Sequence, residues 1–164
     1  MRPFSLFFLL FFVGACLIFC QQDDKNYEVL SVAFYNVENL FDTFDNPNTR
    51  DDDRTPTGRD RWTEAVYQKK VVNVARVLAT IGRETTNQPP AIIGLCEVEN
   101  RQVVQDVIET TVLKSFNYGI IHFDSPDERG IDVALIYQKN RFLPLSFKNY
   151  GLRLYDTDGE RDYT

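Results

Sequence analysis

Two strand-like runs in this chain end in side chains able to do chemistry. "EVLSVAFYNV", residues 28–37, is β-branched and aromatic, carries Asn36 near its end and is followed by Glu38; "AIIGLC", residues 91–96, is a continuous apolar run that stops at Glu97. In parallel α/β sheets, the loops at the carboxyl ends of the strands gather around the ligand. If the two runs are sheet neighbours, an amide and two carboxylates meet at one rim, near the connection "DSPDERG" at 124–130. Local structure accounts for the same residues differently: Asn36 could close an Asx turn, and Glu97 could favour the N-terminus of a following helix through its dipole. Spacing alone leaves both readings open.

The elements that must position these residues can be read from periodicity. After the first strand, "ENLFDTFDNPNTRDDDRTPTGRDRW" is rich in Asp, Asn, Pro and Gly without a sustained period, which predicts a long surface loop. Thr63 is a candidate N-cap for a helix in which Tyr67, Val71, Val74, Leu78 and Ile81 share one face, and Gly82 ends it. Asn100 is the candidate N-cap of a second helix with Val104, Val107 and Ile108 on its core side, running to about Lys114. "YGIIHF" and "IDVALIY" are two further strands. Helical crossovers imply parallel pairing of the first strands, whereas the short "DSPDERG" connection implies an antiparallel hairpin, so the sheet is mixed. From Arg141 onward the pattern decays, with one further strand expected and no closing helix.

Other candidate residues have blander readings. His122 is the single histidine and lies within "YGIIHF", which favours a packed strand residue over a catalytic one. "DDDR" at 51–54 lacks the ligand spacing of a calcium loop and reads as solvated. Cys96, with no basic neighbour in sequence, reads as a small buried hydrophobe.

Three blocks, "FYNVENLFD", "IIGLCEVEN" and "SPDERGIDVALIY", together resemble the endonuclease/exonuclease/phosphatase family, and more narrowly its exported bacterial branch. That family of metal-dependent phosphoesterases includes deoxyribonuclease I, abasic-site endonucleases, sphingomyelinases and inositol polyphosphate phosphatases. The resemblance spans about Val29 to Tyr137. It implies an α/β fold: a mixed sheet with helices on one face, about half of a deoxyribonuclease I-like four-layer sandwich, with residues 28–164 as the N-terminal part of the domain. It implies Glu97 as the principal metal ligand, Glu38 as a second ligand often acting through water, Asn36 as the residue orienting phosphate and attacking water, and Arg129 as a substrate contact. Glu99, Asn100 and Asp132 match no obligatory ligand.

The residue types suit that chemistry. Mg²⁺ or Mn²⁺ prefers carboxylate oxygen, and Mg²⁺ keeps several waters, so one or two acids on a rim suffice to hold it against a phosphate. The family supplies its general base from a later half, through a histidine on a subsequent strand, a Gly-Asp-x-Asn block and an Asp-His pair; neither that block nor that pair occurs here, and the one histidine is His122 in "YGIIHF". The expectation is a phosphoesterase fragment inactive alone. The competing expectation is a non-enzymatic truncated or diverged chain that at most binds a cation or phosphate.

Composition narrows the partners. With 43% hydrophobic and 26% charged residues the chain can fold, and a formal net charge of -6 means that no bulk positive charge holds a phosphate-bearing partner. The substrate is expected to be a phosphate ester, with nucleic acid, phospholipid and small molecule all open, and no stable protein partner is inferred. Residues 1–22, basic at Arg2 and then uncharged from Pro3 to Cys20, have the layout of a secretory leader; an uncleaved anchor and a lipoprotein anchored through Cys16 in "VGAC" are the alternatives. An exported protein follows, periplasmic, extracellular or lipid-anchored to a bacterial membrane. Only Cys96 lies beyond that leader, so no internal disulfide is expected.

Overall fold

The computed structural model describes residues 26–151, 154–155, 157–159 and 161–162; the leader, with Cys16 and Cys20, lies outside them. Four strands, β1 (Val32–Leu40), β2 (Ile92–Val98), β3 (Tyr118–Phe123) and β4 (Asp132–Gln138), form one sheet in the order β1-β2-β4-β3. β1 and β2 are parallel, and β4 is antiparallel to both β2 and β3. The mixed α/β sheet and its hairpin are as the sequence predicts, but β3 does not pair with β2. β4 lies between them, so "VALI", apolar at every position, occupies the interior of the sheet, and β3, with Gly119 and His122, takes the edge.

Helix α1 (Glu64–Thr80) packs against β1 and against α3 (Arg101–Ile108), which also packs on β2 and β3; a short α2 (Arg83–Thr86) lies between them in sequence. Both long helices lie on one face of the sheet. Tyr67, Val71, Val74 and Leu78 are buried on α1, as their spacing requires, and pack with Ala33, Val37, Ile93, Leu95 and Ile136 in a single core. Thr63 precedes α1 with extended backbone but makes no side-chain capping bond. Asn100 does cap α3, its Oδ1 accepting from Gln102 N at 2.8 Å and Val103 N at 3.1 Å. α3 stops at Ile108, short of Lys114, because the Thr110 hydroxyl takes the Val107 carbonyl at 2.8 Å and the chain turns to bury Leu113. The tail has two short strands where one was expected, β5 (Leu154–Tyr155) and β6 (Arg161–Asp162), paired with each other in a separate sheet.

Among the described residues no helix covers the opposite face of the main sheet. Val32, Phe34 and Val133 are exposed there, Phe34 by 84%, as expected for a sheet with helices on one side only. Among the described residues no helix is long and apolar enough to cross a membrane.

Candidate functional site

The carboxyl ends of β1 and β2 adjoin, and both are bulged. β1 advances from Asn36 to Leu40 while β2 advances only from Cys96 to Val98, and β2 in turn advances those two residues against one step of β4, from Val133 to Asp132. Glu38, Asn39 and Glu97 absorb these irregularities with φ of 56°, 64° and 64°, a left-handed region uncommon for residues other than glycine. Regular alternation would turn Glu97 toward the helix-packed core, since Leu95 is buried on that face. The bulge leaves Val98 buried there instead and releases Glu97 to the rim.

There Asn36 and Glu97 meet. Asn36 Nδ2 donates to Glu97 Oε1 at 2.9 Å, and Asn36 Oδ1 accepts from Glu38 N at 2.7 Å. Asn36 therefore closes its Asx turn and holds the carboxylate at once. Among the described residues Glu97 Oε2 accepts no protein hydrogen bond. Glu38 contributes backbone alone, its amide to Asn36 and its carbonyl to Lys70 Nζ at 2.9 Å; no bond joins its exposed carboxylate to Asn36, Glu97 or Arg129. Arg129 is held by Asp127 through two contacts, Nη2 to Oδ2 at 2.8 Å and Nε to Oδ1 at 3.1 Å. Asp127, and more distantly the charge of Glu97, stabilises its protonated form.

Glu99 and Asp51 organise this rim, which their setting in sequence does not reveal. Glu99 N donates to Leu40 O at 3.0 Å, and its Oε2 accepts from Asp42 N, so it clasps the exits of both strands. Burial pushes the Glu99 carboxyl up to about 7, opposed by the Asp42 amide and reinforced by the charges of Asp42 and Asp51. Asp51, expected in a solvated loop, is only 1% exposed and accepts from Asn46 N at 3.1 Å and Thr49 Oγ1 at 3.2 Å. The loop is therefore built around a buried acid. The rest of "DDDR", residues 52–54, forms one 3-10 turn.

His122 takes the other face. Its side chain, 7% exposed, has Nε2 at 3.0 Å from Asp132 Oδ2 without the alignment of a hydrogen bond. Asp132 Oδ1 accepts from Ser125 N at 2.6 Å. Burial pushes the Asp132 carboxyl up, partly offset by Ser125 and His122. His122, Asp124 and Asp132 offer three ligand atoms within 4.8 Å of one another, a second arrangement suited to a cation. Cys96 lies between, its thiol pushed up by burial and by the charge of Glu97, and is no nucleophile as placed.

The model of the Endonuclease/Exonuclease/phosphatase family matches residues 31–163. The chain belongs to that family. No curated protein and no solved structure matches it significantly. Members are hydrolases of the phosphoesterase and nuclease type, generally dependent on divalent metal. The rim suits such a cation: one carboxylate, with an oxygen left open, on a strained bulge that an amide holds in place.

Proposed function

We propose that this family member acts in divalent-metal-dependent hydrolysis of phosphate esters, with Mg²⁺ or Mn²⁺ held by Glu97. The observation that carries this reading is the Asn36–Glu97 bond at the bulged carboxyl rim of β1 and β2. A cation bound at Glu97 would offset charge on phosphoryl oxygens. Asn36, fixed through both ends of its amide, would orient a phosphate and the water beside it. Glu38 would reach the cation through water, and Arg129 would grip a phosphate oxygen pair with its planar fork. The substrate is a phosphate ester, drawn from nucleic acids, phospholipids or small molecules. The leader-like pattern of residues 1–22 supports an exported protein, released or held through Cys16.

One observation favours a second reading, binding without turnover. The single histidine faces Asp132 on the helix-packed side, and among the described residues no imidazole stands at the Asn36–Glu97 rim to activate water. Hydrolysis of plasmid DNA, sphingomyelin and a phosphomonoester in Mg²⁺ or Mn²⁺ separates the two. Turnover that disappears in Glu97→Gln supports the hydrolase; cation binding through Glu97 with no turnover of any substrate supports the binder.

A further inference from the structure

Beside the rim lies an open cavity of about 220 Å³ whose wall is dominated by arginine. Arg50, Arg54, Arg59 and Arg129 line it, together with Asn39 and Phe41, and among the described residues the one carboxylate in its wall is Asp53. That is roughly the volume of seven waters at ~30 Å³ each, room for a phosphate group with part of its hydration. Four guanidiniums around one small cavity run against the composition of a chain with net charge -6. We infer that this cavity is a second anion subsite, taking a phosphate group of the substrate other than the one at Glu97.

The simpler account is that these arginines only pair with neighbouring acids. Arg50 does meet Glu128 at 2.7 Å and Arg59 meets Asp53 at 3.0 Å, but Arg50 and Arg59 are 78% and 71% exposed. Exposed pairs of this kind contribute little. Arg54 and Arg59 moreover share one carboxylate, Asp60, at 3.1 Å and 3.4 Å. Arg129 is held by Asp127 through two contacts, but each guanidinium carries five donors, more than these pairs occupy, so donors remain for an incoming anion.

The wall is also preorganised. Arg54 lies 5.5 Å from the centre of the Phe41 ring. Its loop closes tightly: Arg54 N bonds Asp51 O at 2.6 Å, and Gly58 packs so near Asp52 O that an added Cβ would come within 2.1 Å. Arg50 N bonds Glu128 O at 2.7 Å, and Gly130, at φ 71°, packs against Thr49, which locks this loop to the one bearing Arg129. Arg129 feels the charge of Glu97 as well as lining the cavity, which makes the two sites neighbours. The inference rests on the phosphoester reading and extends it: the preferred substrate carries at least two phosphates.

Trp62, the single tryptophan, bonds Phe41 O through Nε1 at 2.9 Å and so reports on the cavity wall. Titration of the protein with inorganic pyrophosphate in EDTA, followed by Trp62 fluorescence and calorimetry, reads this subsite without the cation. Arg50→Gln and Arg59→Gln should each weaken binding roughly tenfold, as expected for loss of a charge-assisted contact, with unfolding transitions unchanged. Glu97→Gln, which removes a negative charge felt by Arg129, should bind pyrophosphate at least as tightly as the wild type. A wild type that does not bind, or arginine variants that bind equally well, would overturn the subsite. Failure of cation binding at Glu97 with pyrophosphate binding intact would instead overturn the functional reading alone. Displacement of pyrophosphate by a short single-stranded oligonucleotide places the second phosphate on a nucleic-acid backbone, and displacement by a small diphosphate ester places it on a compact substrate; displacement by neither counts against the subsite.

Discussion

Asn36 Nδ2 donates to Glu97 Oε1 at 2.9 Å, joining residues 61 apart in sequence across the parallel β1–β2 pair. The bond holds a carboxylate at a backbone position that residues other than glycine seldom adopt, and it leaves one carboxylate oxygen open. Asn36→Asp would set two carboxylates where a donor now meets an acceptor. At neutral pH this should cost about 1 kcal/mol of stability, given the exposure of the pair. The loss should be offset by Mg²⁺ at neutral pH. Thermal unfolding with and without Mg²⁺ measures it, and a variant indifferent to Mg²⁺ would show that no cation is held between these residues.

Glu99 predicts a pH dependence. Its carboxyl, raised to about 7 by burial, keeps its proton in the folded chain where the unfolded chain has already lost it. Stability should therefore fall as pH rises from the ordinary carboxyl range to about 7, and level off above that. Gln mimics the protonated form, accepting from Asp42 N and offering N–H groups toward Asp51. Relative to the wild type, Glu99→Gln should be near neutral at pH 4 and more stable at pH 8, by on the order of 1–2 kcal/mol after allowance for partial exposure. A pH-independent difference would mean that Glu99 is already ionised in the fold.

Asp51→Ala should destabilise by about 1–3 kcal/mol, because Asn46 N and the Thr49 hydroxyl lose their acceptor in a buried setting. The same change should free the loop that carries Arg50 and Arg54 and alter Trp62 fluorescence in the folded state. Denaturant titration gives the first quantity and steady-state emission the second. Wild-type values for both would return this loop to the solvated reading.

What was legible in the sequence follows from how local each signal is. The face of α1 could be read from Tyr67 to Leu78 because its period is continuous, and Asn36 and Glu97 could be placed at one rim because each ends an apolar run. Strand order was not legible: whether β4 or β3 pairs with β2 depends on which strand gains more by burial on both sides. The bulges at Glu38, Asn39 and Glu97 carry no glycine to announce them. Asp51 and its neighbours look alike as a run of acids, and only the folded loop distinguishes the one that is buried. The arginines at 50, 54 and 59 alternate with acids and prolines, which reads as a solvated loop until the chain closes them around a cavity. Glu99 sits one residue past Val98, and its burial depends on the exit of β1, reached only through long-range pairing.

The central claim is that Glu97 holds a divalent cation. The most direct test is Mn²⁺ binding to the wild type, Glu97→Gln and Asp132→Asn, followed by calorimetry and by paramagnetic broadening of assigned backbone resonances. One saturable site is predicted, broadening Asn36 and Glu97 most strongly, weakened at least roughly tenfold by Glu97→Gln and little changed by Asp132→Asn. Binding unaffected by Glu97→Gln but lost in Asp132→Asn, with broadening centred on His122, would place the cation on the helix-packed face and contradict the account.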